Sequence, residues 1–244
     1  MRDYAFLNIP QNCFHGKNIP KKGFYETKIF KPSDRRLFTS AIEKIRWVYV
    51  LSHGNINIKP YKDDVREYEE IHVIEVALKK DYKLERIAEI ITYRIPYPLL
   101  LIYRHNDKMR FFVAHFRSSQ RDYSKNTFED MYSSDWQKND GALLAKLDFM
   151  KMKMTNFFTL YTDLVDKICI HNLSTLKKVD DNITGDEARI LLAKVKEIEK
   201  EIEKVKALIN KETQFNNQVE MNIKIKKLEK IKSKLIGGDA QWKR

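Results

Sequence analysis

The 244-residue sequence predicts an α+β fold: a compact mixed β-sheet with flanking helices, followed by a long helix and a C-terminal coiled-coil-like helical hairpin. Three observations carry that prediction. Strand-like apolar runs alternate with helix-spaced ones up to Phe116. A four-three apolar rhythm then takes over from Leu143. Between residues 187 and 237 the same rhythm is interleaved with Lys and Glu, as in a coiled coil. The organisation expected is an α+β domain over 1–139, a long amphipathic helix packing on it over 140–171, a linker over 172–186 and a charged hairpin over 187–237.

Residues 1–32 are turn-rich, punctuated by Pro10, Pro20 and Pro32. Ser33 or Asp34 can cap a helix whose apolar positions are Leu37, Phe38, Ala41, Ile42 and Ile45. Trp47 to Leu51 reads as a strand closed by the turn signal Ser52-His53-Gly54-Asn55, and Ile56 and Ile58 alternate in a short second strand. The charged stretch 61–70 reads as a connection. Ile71 to Leu78 is the clearest strand, with both faces apolar. Lys83 to Arg94 is amphipathic, with Leu84, Ile87, Ala88, Ile90 and Ile91 on one side, and Pro96 and Pro98 stop it. Leu99–Tyr103 and Met109–Phe116 form a hairpin. The run 117–139, with Tyr123, Phe128, Tyr132 and Trp136, is expected to be irregular.

From Gly141, Leu143, Leu147, Met150, Met154, Phe157, Tyr161, Leu164 and Ile168 place one apolar stripe on a single helix. Met150, Met152, Met154 and Phe157 admit a reading as an adaptable binding surface, but core packing explains them at least as well. Leu191, Val195, Ile198, Ile202, Val205 and Ile209 repeat the rhythm. Met221, Ile225, Leu228, Ile231 and Leu235 do so again, and Gly237-Gly238 ends the helix. An antiparallel hairpin is the simplest arrangement, with a parallel coiled-coil homodimer competing.

The net charge is +12, which points to an acidic partner, most often nucleic acid; a Lys-, Asn- and Ile-rich composition is the bland alternative. The two cysteines, Cys13 and Cys169, are far apart, so neither a disulfide framework nor a cysteine zinc site is expected and a reducing cytoplasm is the natural home. No apolar run approaches the ~20 residues of a membrane span. The opening residues lack a signal-peptide pattern. No phosphate-binding glycine loop is present. The six histidines show no ligand spacing, and His72 is expected to be a satisfied core residue.

Several segments resemble a known family: Ile19-Pro20-Lys21-Lys22 with Phe24-Tyr25; Ile45-Arg46-Trp47 with Leu51 and Asn55-Ile56; the strand Val73-Ile74-Glu75-Val76-Ala77-Leu78-Lys79; and Ile95-Pro96-Tyr97. Gln214-Phe215-Asn216, Val219-Glu220, Asn222 and Leu228 continue the likeness near the end. Together they resemble the bacterial family called domain of unknown function 4391, from residue 19 to about 235. The resemblance implies a place beside helicases and DNA methyltransferases of restriction-like antiviral systems. It assigns no activity and carries over no catalytic residues.

Glu75 has the sharpest chemical reading. A carboxylate in a central strand costs several kcal/mol unless paired or bound to metal. The helix–strands–helix–strands order with an acid in mid-strand is also the layout of restriction-endonuclease-like, metal-dependent nucleases with the PD-(D/E)xK pattern, whose acids hold Mg²⁺. On that alternative Asp63 or Asp64 supplies the first acid, but Ala77 occupies the lysine position and Lys79 lies about 7 Å farther on. The competing expectation is a structural pair of Glu75 with Lys79 or an arginine, with no cofactor and no metal site. Lys224, Lys226, Lys227, Lys230, Lys232 and Lys234 are the candidate nucleic-acid-binding residues, with a solvated helix face as the plain alternative. The function expected is therefore an accessory or adaptor subunit that binds a helicase or methyltransferase, with DNA as a further possible ligand.

Overall fold

The computed structural model describes residues 4–117, 127–177, 179 and 182–237. Tyr123 and Gly238, placed above in an irregular stretch and a helix stop, lie outside the described residues. The chain divides into two units, Met1–Ile168 and Cys169–Arg244.

The first unit is built on a seven-stranded mixed sheet. Its strands are β1 (Phe14–Asn18), β2 (Ile42–Ser52), β5 (Glu70–Leu78), β6 (Leu99–His105), β7 (Lys108–Arg117), β8 (Thr127–Ser133) and β9 (Gln137–Lys138), while β3 (Tyr61–Lys62) and β4 (Glu67–Tyr68) form a separate small hairpin. The helices of this unit are α1 (Pro32–Ala41), the single-turn α2 (His53–Ile56), α3 (Leu84–Arg94) and the first part of α4 (Phe157–Leu176). The order across the sheet is β1-β2-β5-β6-β7-β8, with β9 also on β7. β5 and β6 are parallel and joined through α3, and the other neighbours are antiparallel. β5 is thus central, as its doubly apolar sequence requires.

One face of the sheet carries Ile74, Val76 and Leu78 of β5 with Leu101 and Tyr103 of β6, covered by Leu37 and Phe38 of α1 and Ile87 and Ile91 of α3. On the other face the Tyr161 hydroxyl of α4 donates to the Leu99 carbonyl at 2.7 Å and accepts from the Ala114 N–H at 3.1 Å, tying α4 to β6 and β7. Burial pushes the Tyr161 phenol up, so it acts as a neutral hydrogen-bonding group.

Several local expectations change. Ile42 and Ile45, counted into the first helix, begin β2 instead, because the chain turns directly from α1 into the sheet and both side chains reach the same core. Ile56 ends the short α2 and Ile58 is buried without lying in a strand. Part of the supposed irregular stretch is β8, whose polar sequence Thr-Phe-Glu-Asp-Met-Tyr-Ser hides its strand character. Phe14–Asn18 forms an edge strand that the turn-rich reading did not resolve. The long helix starts at Phe157, not at residue 140. Before it lie 3-10 turns at Leu144–Lys146 and Phe149–Lys151, which keep the apolar rhythm without α-helical bonds. Met150 is consequently exposed and Met152 buried, so the methionines do not form one stripe.

The second unit contains α5 (Gly185–Ile209) and α6 (Phe215–Leu235). The connection before α5 is shorter than the linker expected over 172–186, since α4 runs to Leu176 and α5 begins at Gly185. Thr184 and Glu187 form a capping box: the threonine hydroxyl accepts from the Glu187 N–H at 3.2 Å and the glutamate accepts from the Thr184 N–H at 2.9 Å. α5 and α6 fold back on one another around Ile202, Val205 and Ile225, flanked by Ile198, Ile209, Met221 and Leu228. Ile231 is half exposed and lies off this seam, contrary to the periodicity expected for it.

Because α5 and α6 have their own apolar seam, a chain ending at Leu176 is expected to unfold cooperatively, within a few degrees of the full chain. Circular dichroism melts check this, and aggregation of the shortened chain would show that the hairpin is required by the sheet unit.

Candidate functional site

Strand register explains how Glu75 is held. On β2, Arg46 lies directly opposite Glu75, and on β6, Arg104 lies opposite Ala77, one pleat along the same face. Arg46 Nη2 donates to Glu75 Oε2 at 3.1 Å and its Nε donates to Oε1 at 3.3 Å, a two-point contact on both carboxylate oxygens. Arg104 Nη1 stands 3.6 Å from Oε2. The Tyr4 hydroxyl, delivered by the N-terminal segment, also donates to Oε2. Burial first, and the Glu75 charge second, push the Tyr4 phenol up, so it remains a neutral donor.

Glu75 is only 5 % exposed. A buried carboxylate is tolerable there because two guanidinium groups and a hydroxyl surround it. Of the two structural pairings considered from sequence, Glu75–Arg is formed. Lys79 is exposed just past the end of β5, where its backbone N–H donates to the Ala41 carbonyl at 2.8 Å. Asp63 closes the β3–β4 turn: it accepts from the backbone N–H groups of Val65 and Arg66 at 2.7 and 2.6 Å and from the Tyr61 hydroxyl at 2.8 Å. Those backbone bonds hold its carboxyl below the usual range. Asp64 is exposed in the same turn. Asp63 and Asp64 thus share one turn, and among the described contacts of Glu75 there is none with either of them or with Lys79. Among the described residues, no group of three or more His, Cys, Asp or Glu is placed to hold a metal ion.

The outer edge of the Glu75 cluster opens on a cavity of about 340 Å³ whose lining includes Tyr4, Phe6, Arg104, Lys108 and Asn139. Arg46, Arg104 and Tyr4 were not singled out from sequence. The basic residues on the strands flanking β5 were the available signal, but their register was needed to see it.

On the opposite sheet face His72 is buried, as expected, but it is not fully satisfied, since its buried Nδ1 has no hydrogen-bond partner among the described residues. Its ring packs against Trp47 and Tyr97 at centroid distances of 4.9 and 4.3 Å, and its Nε2 meets Glu70 at 2.7 Å. Burial depresses its pKa, keeping the imidazole neutral. Trp47 and Tyr97 also line an apolar cavity of about 240 Å³ with Ile19, Phe24, Arg94 and Pro96.

The six candidate lysines of α6 fall into two groups. Lys224 pairs with Glu201 at 2.7 Å and Lys232 with Glu199 at 2.5 Å, both across the hairpin. Lys226, Lys227, Lys230 and Lys234 are exposed and form no ion pair with a described residue. Glu201 in turn is held below its ordinary range, chiefly by its hydrogen bond from Lys224.

Among the described residues no helix is long and apolar enough to cross a membrane. No curated protein and no solved structure matches the chain. The model of the family described as Domain of unknown function (DUF4391) matches residues 7–231, nearly the whole chain. The chain belongs to that family.

Proposed function

We propose that this protein is an accessory, adaptor subunit of a bacterial antiviral DNA-defence system, and that it binds a larger helicase or methyltransferase. The observation that carries the non-catalytic part of this reading is the surrounding of Glu75. Glu75, the acid in the middle of the central strand, is engaged by Arg46, Arg104 and Tyr4. A divalent cation at that carboxylate would have to displace or sit beside two guanidinium groups, which the charge balance opposes. The system to which the adaptor belongs rests on the family resemblance. The decisive experiment is recovery of the tagged full chain from its native host with identification of co-purifying proteins. A helicase or methyltransferase in stoichiometric amount is the expected result, and recovery of the chain alone overturns the reading. DNA or RNA cleavage with Mg²⁺ or Mn²⁺ that is lost in a folded Glu75→Ala variant would replace it with the nuclease alternative.

A second reading, direct DNA contact, is motivated by the four exposed lysines of α6 that form no ion pair with a described residue. It predicts affinity that falls with salt, with a log–log slope of about −0.9 per phosphate neutralised. Replacing Lys226, Lys227, Lys230 and Lys234 by Gln should then flatten the slope by roughly one unit per true contact, equally for unrelated duplexes. Fluorescence anisotropy over a salt series measures this. An unchanged slope removes these lysines from any DNA contact.

A further inference from the structure

Beyond its seam with α5, α6 has a second organised face. At 3.6 residues per turn, Phe215, Val219, Ile223, Lys226, Lys227, Lys230 and Lys234 share one side of the helix, roughly opposite the seam residues Met221, Ile225 and Leu228. The three apolar side chains are 75, 40 and 48 % exposed, and they occupy the first half of the face. The four lysines occupy the second half, all exposed and all without an ion pair to a described residue. The two glutamates of α6, Glu220 and Glu229, form no ion pair with them. The seam, in contrast, is already neutralised by Lys224–Glu201 and Lys232–Glu199.

We infer that this outer face of α6 is the docking surface for a helical segment of a partner protein, apolar at one end of its contacting side and rich in Asp or Glu at the other. The inference rests on the adaptor reading and deepens it by naming the surface and the chemistry of what it takes. Charge selects the occupant. A second copy of α6 fits in neither direction: laid parallel, lysines meet lysines, and laid antiparallel, each apolar half meets a cationic half. DNA satisfies the lysines but leaves Phe215, Val219 and Ile223 in water. A lipid surface needs an apolar side running the length of the helix, whereas here the lysines occupy the centre of that side over its last turns. An acidic amphipathic segment buries the apolar half and pairs the cationic half, the helix-on-helix mode of recognition read from anchors at i, i+4 and i+8.

The test uses the full chain with photoreactive benzoylphenylalanine in place of Ile223, irradiated in the native host. The cross-linked species is identified by mass spectrometry. A protein cross-linked within an acidic, amphipathic stretch is the expected product. Charge reversal at Lys227, Lys230 and Lys234 to Glu should lower recovery of that protein by about tenfold, which corresponds to about 1.4 kcal/mol. The milder Lys→Gln triple variant should lower it less, with unchanged helicity. A cross-link to nucleic acid, lipid or a second copy of the chain overturns the inference. So does a partner that co-purifies undiminished with the charge-reversed chain, although the adaptor reading then survives. If no protein co-purifies with the wild-type chain, both fall.

Discussion

Glu75→Ala is expected to destabilise the protein by about 3 kcal/mol, because it removes the carboxylate from a buried, hydrogen-bonded ion pair. The group that loses this carboxylate is Arg46, whose side chain is 17 % exposed, and the Tyr4 hydroxyl loses its acceptor as well. Arg104 adds little to the loss, since its side chain is half exposed and its contact is long. Glu75→Gln keeps the shape and an acceptor oxygen for Tyr4, so its cost should be smaller, about 1 to 2 kcal/mol. Urea and thermal unfolding of the two variants beside the wild type measure the order. If both variants unfold at the wild-type midpoint, the cluster is not structural and Glu75 is free for another task. A wild-type protein inert toward nucleic acid in Mg²⁺ or Mn²⁺, together with a destabilised Glu75→Ala, is the joint outcome the adaptor reading requires.

The same cluster shows where sequence reasoning stops. β5 was legible because a strand buried on both faces must be apolar on both, and an acid within it stands out. Its partners were not legible. Arg46 is 29 residues away and Tyr4 is 71, and neither distance carries a local signal. Choosing between Lys79 and an arginine required the register of β2 and β6. The helical hairpin was legible from its rhythm, but which of the six lysines pair across it depends on which turn of α5 faces which turn of α6. The start of α4 was misplaced for a different reason. Leu143 and Leu147 are buried on either side of one 3-10 turn and Phe149 at the start of the next, so burial recurs at short spacing without a continuous α-helix. β8 escaped because a polar strand near a sheet edge need not alternate.

Asp34 is the other position with a large expected effect, and its role was half visible in the sequence. As the third residue of α1 it accepts from the Lys31 N–H at 2.8 Å, the capping contact that its place after Pro32 suggests. Its second task joins two helices: Arg86 of α3 donates to it through Nε at 3.3 Å and Nη2 at 2.6 Å. Arg86 also donates to the Ile29 carbonyl and to Glu89, so the guanidinium fixes the start of α1 against α3 over the sheet core. The hydrogen bonds from Arg86 hold the Asp34 carboxyl below its ordinary pKa against the opposing effect of burial. A carboxyl whose pKa is depressed on folding contributes stability that is complete above its unfolded value, about 3.9. That contribution is lost as pH falls through the folded value. Asp34→Ala should therefore cost about 3 kcal/mol at pH 7, combining the loss of a helix cap with the loss of the carboxylate that a partly buried arginine contacts through two nitrogens. The gap between wild type and variant should stay constant down to about pH 4 and narrow below it. Melting temperatures of both proteins from pH 7 to 2 test the sign. A gap that persists unchanged at the acid end would mean that packing, and not the ionised Asp34–Arg86 contact, carries the difference.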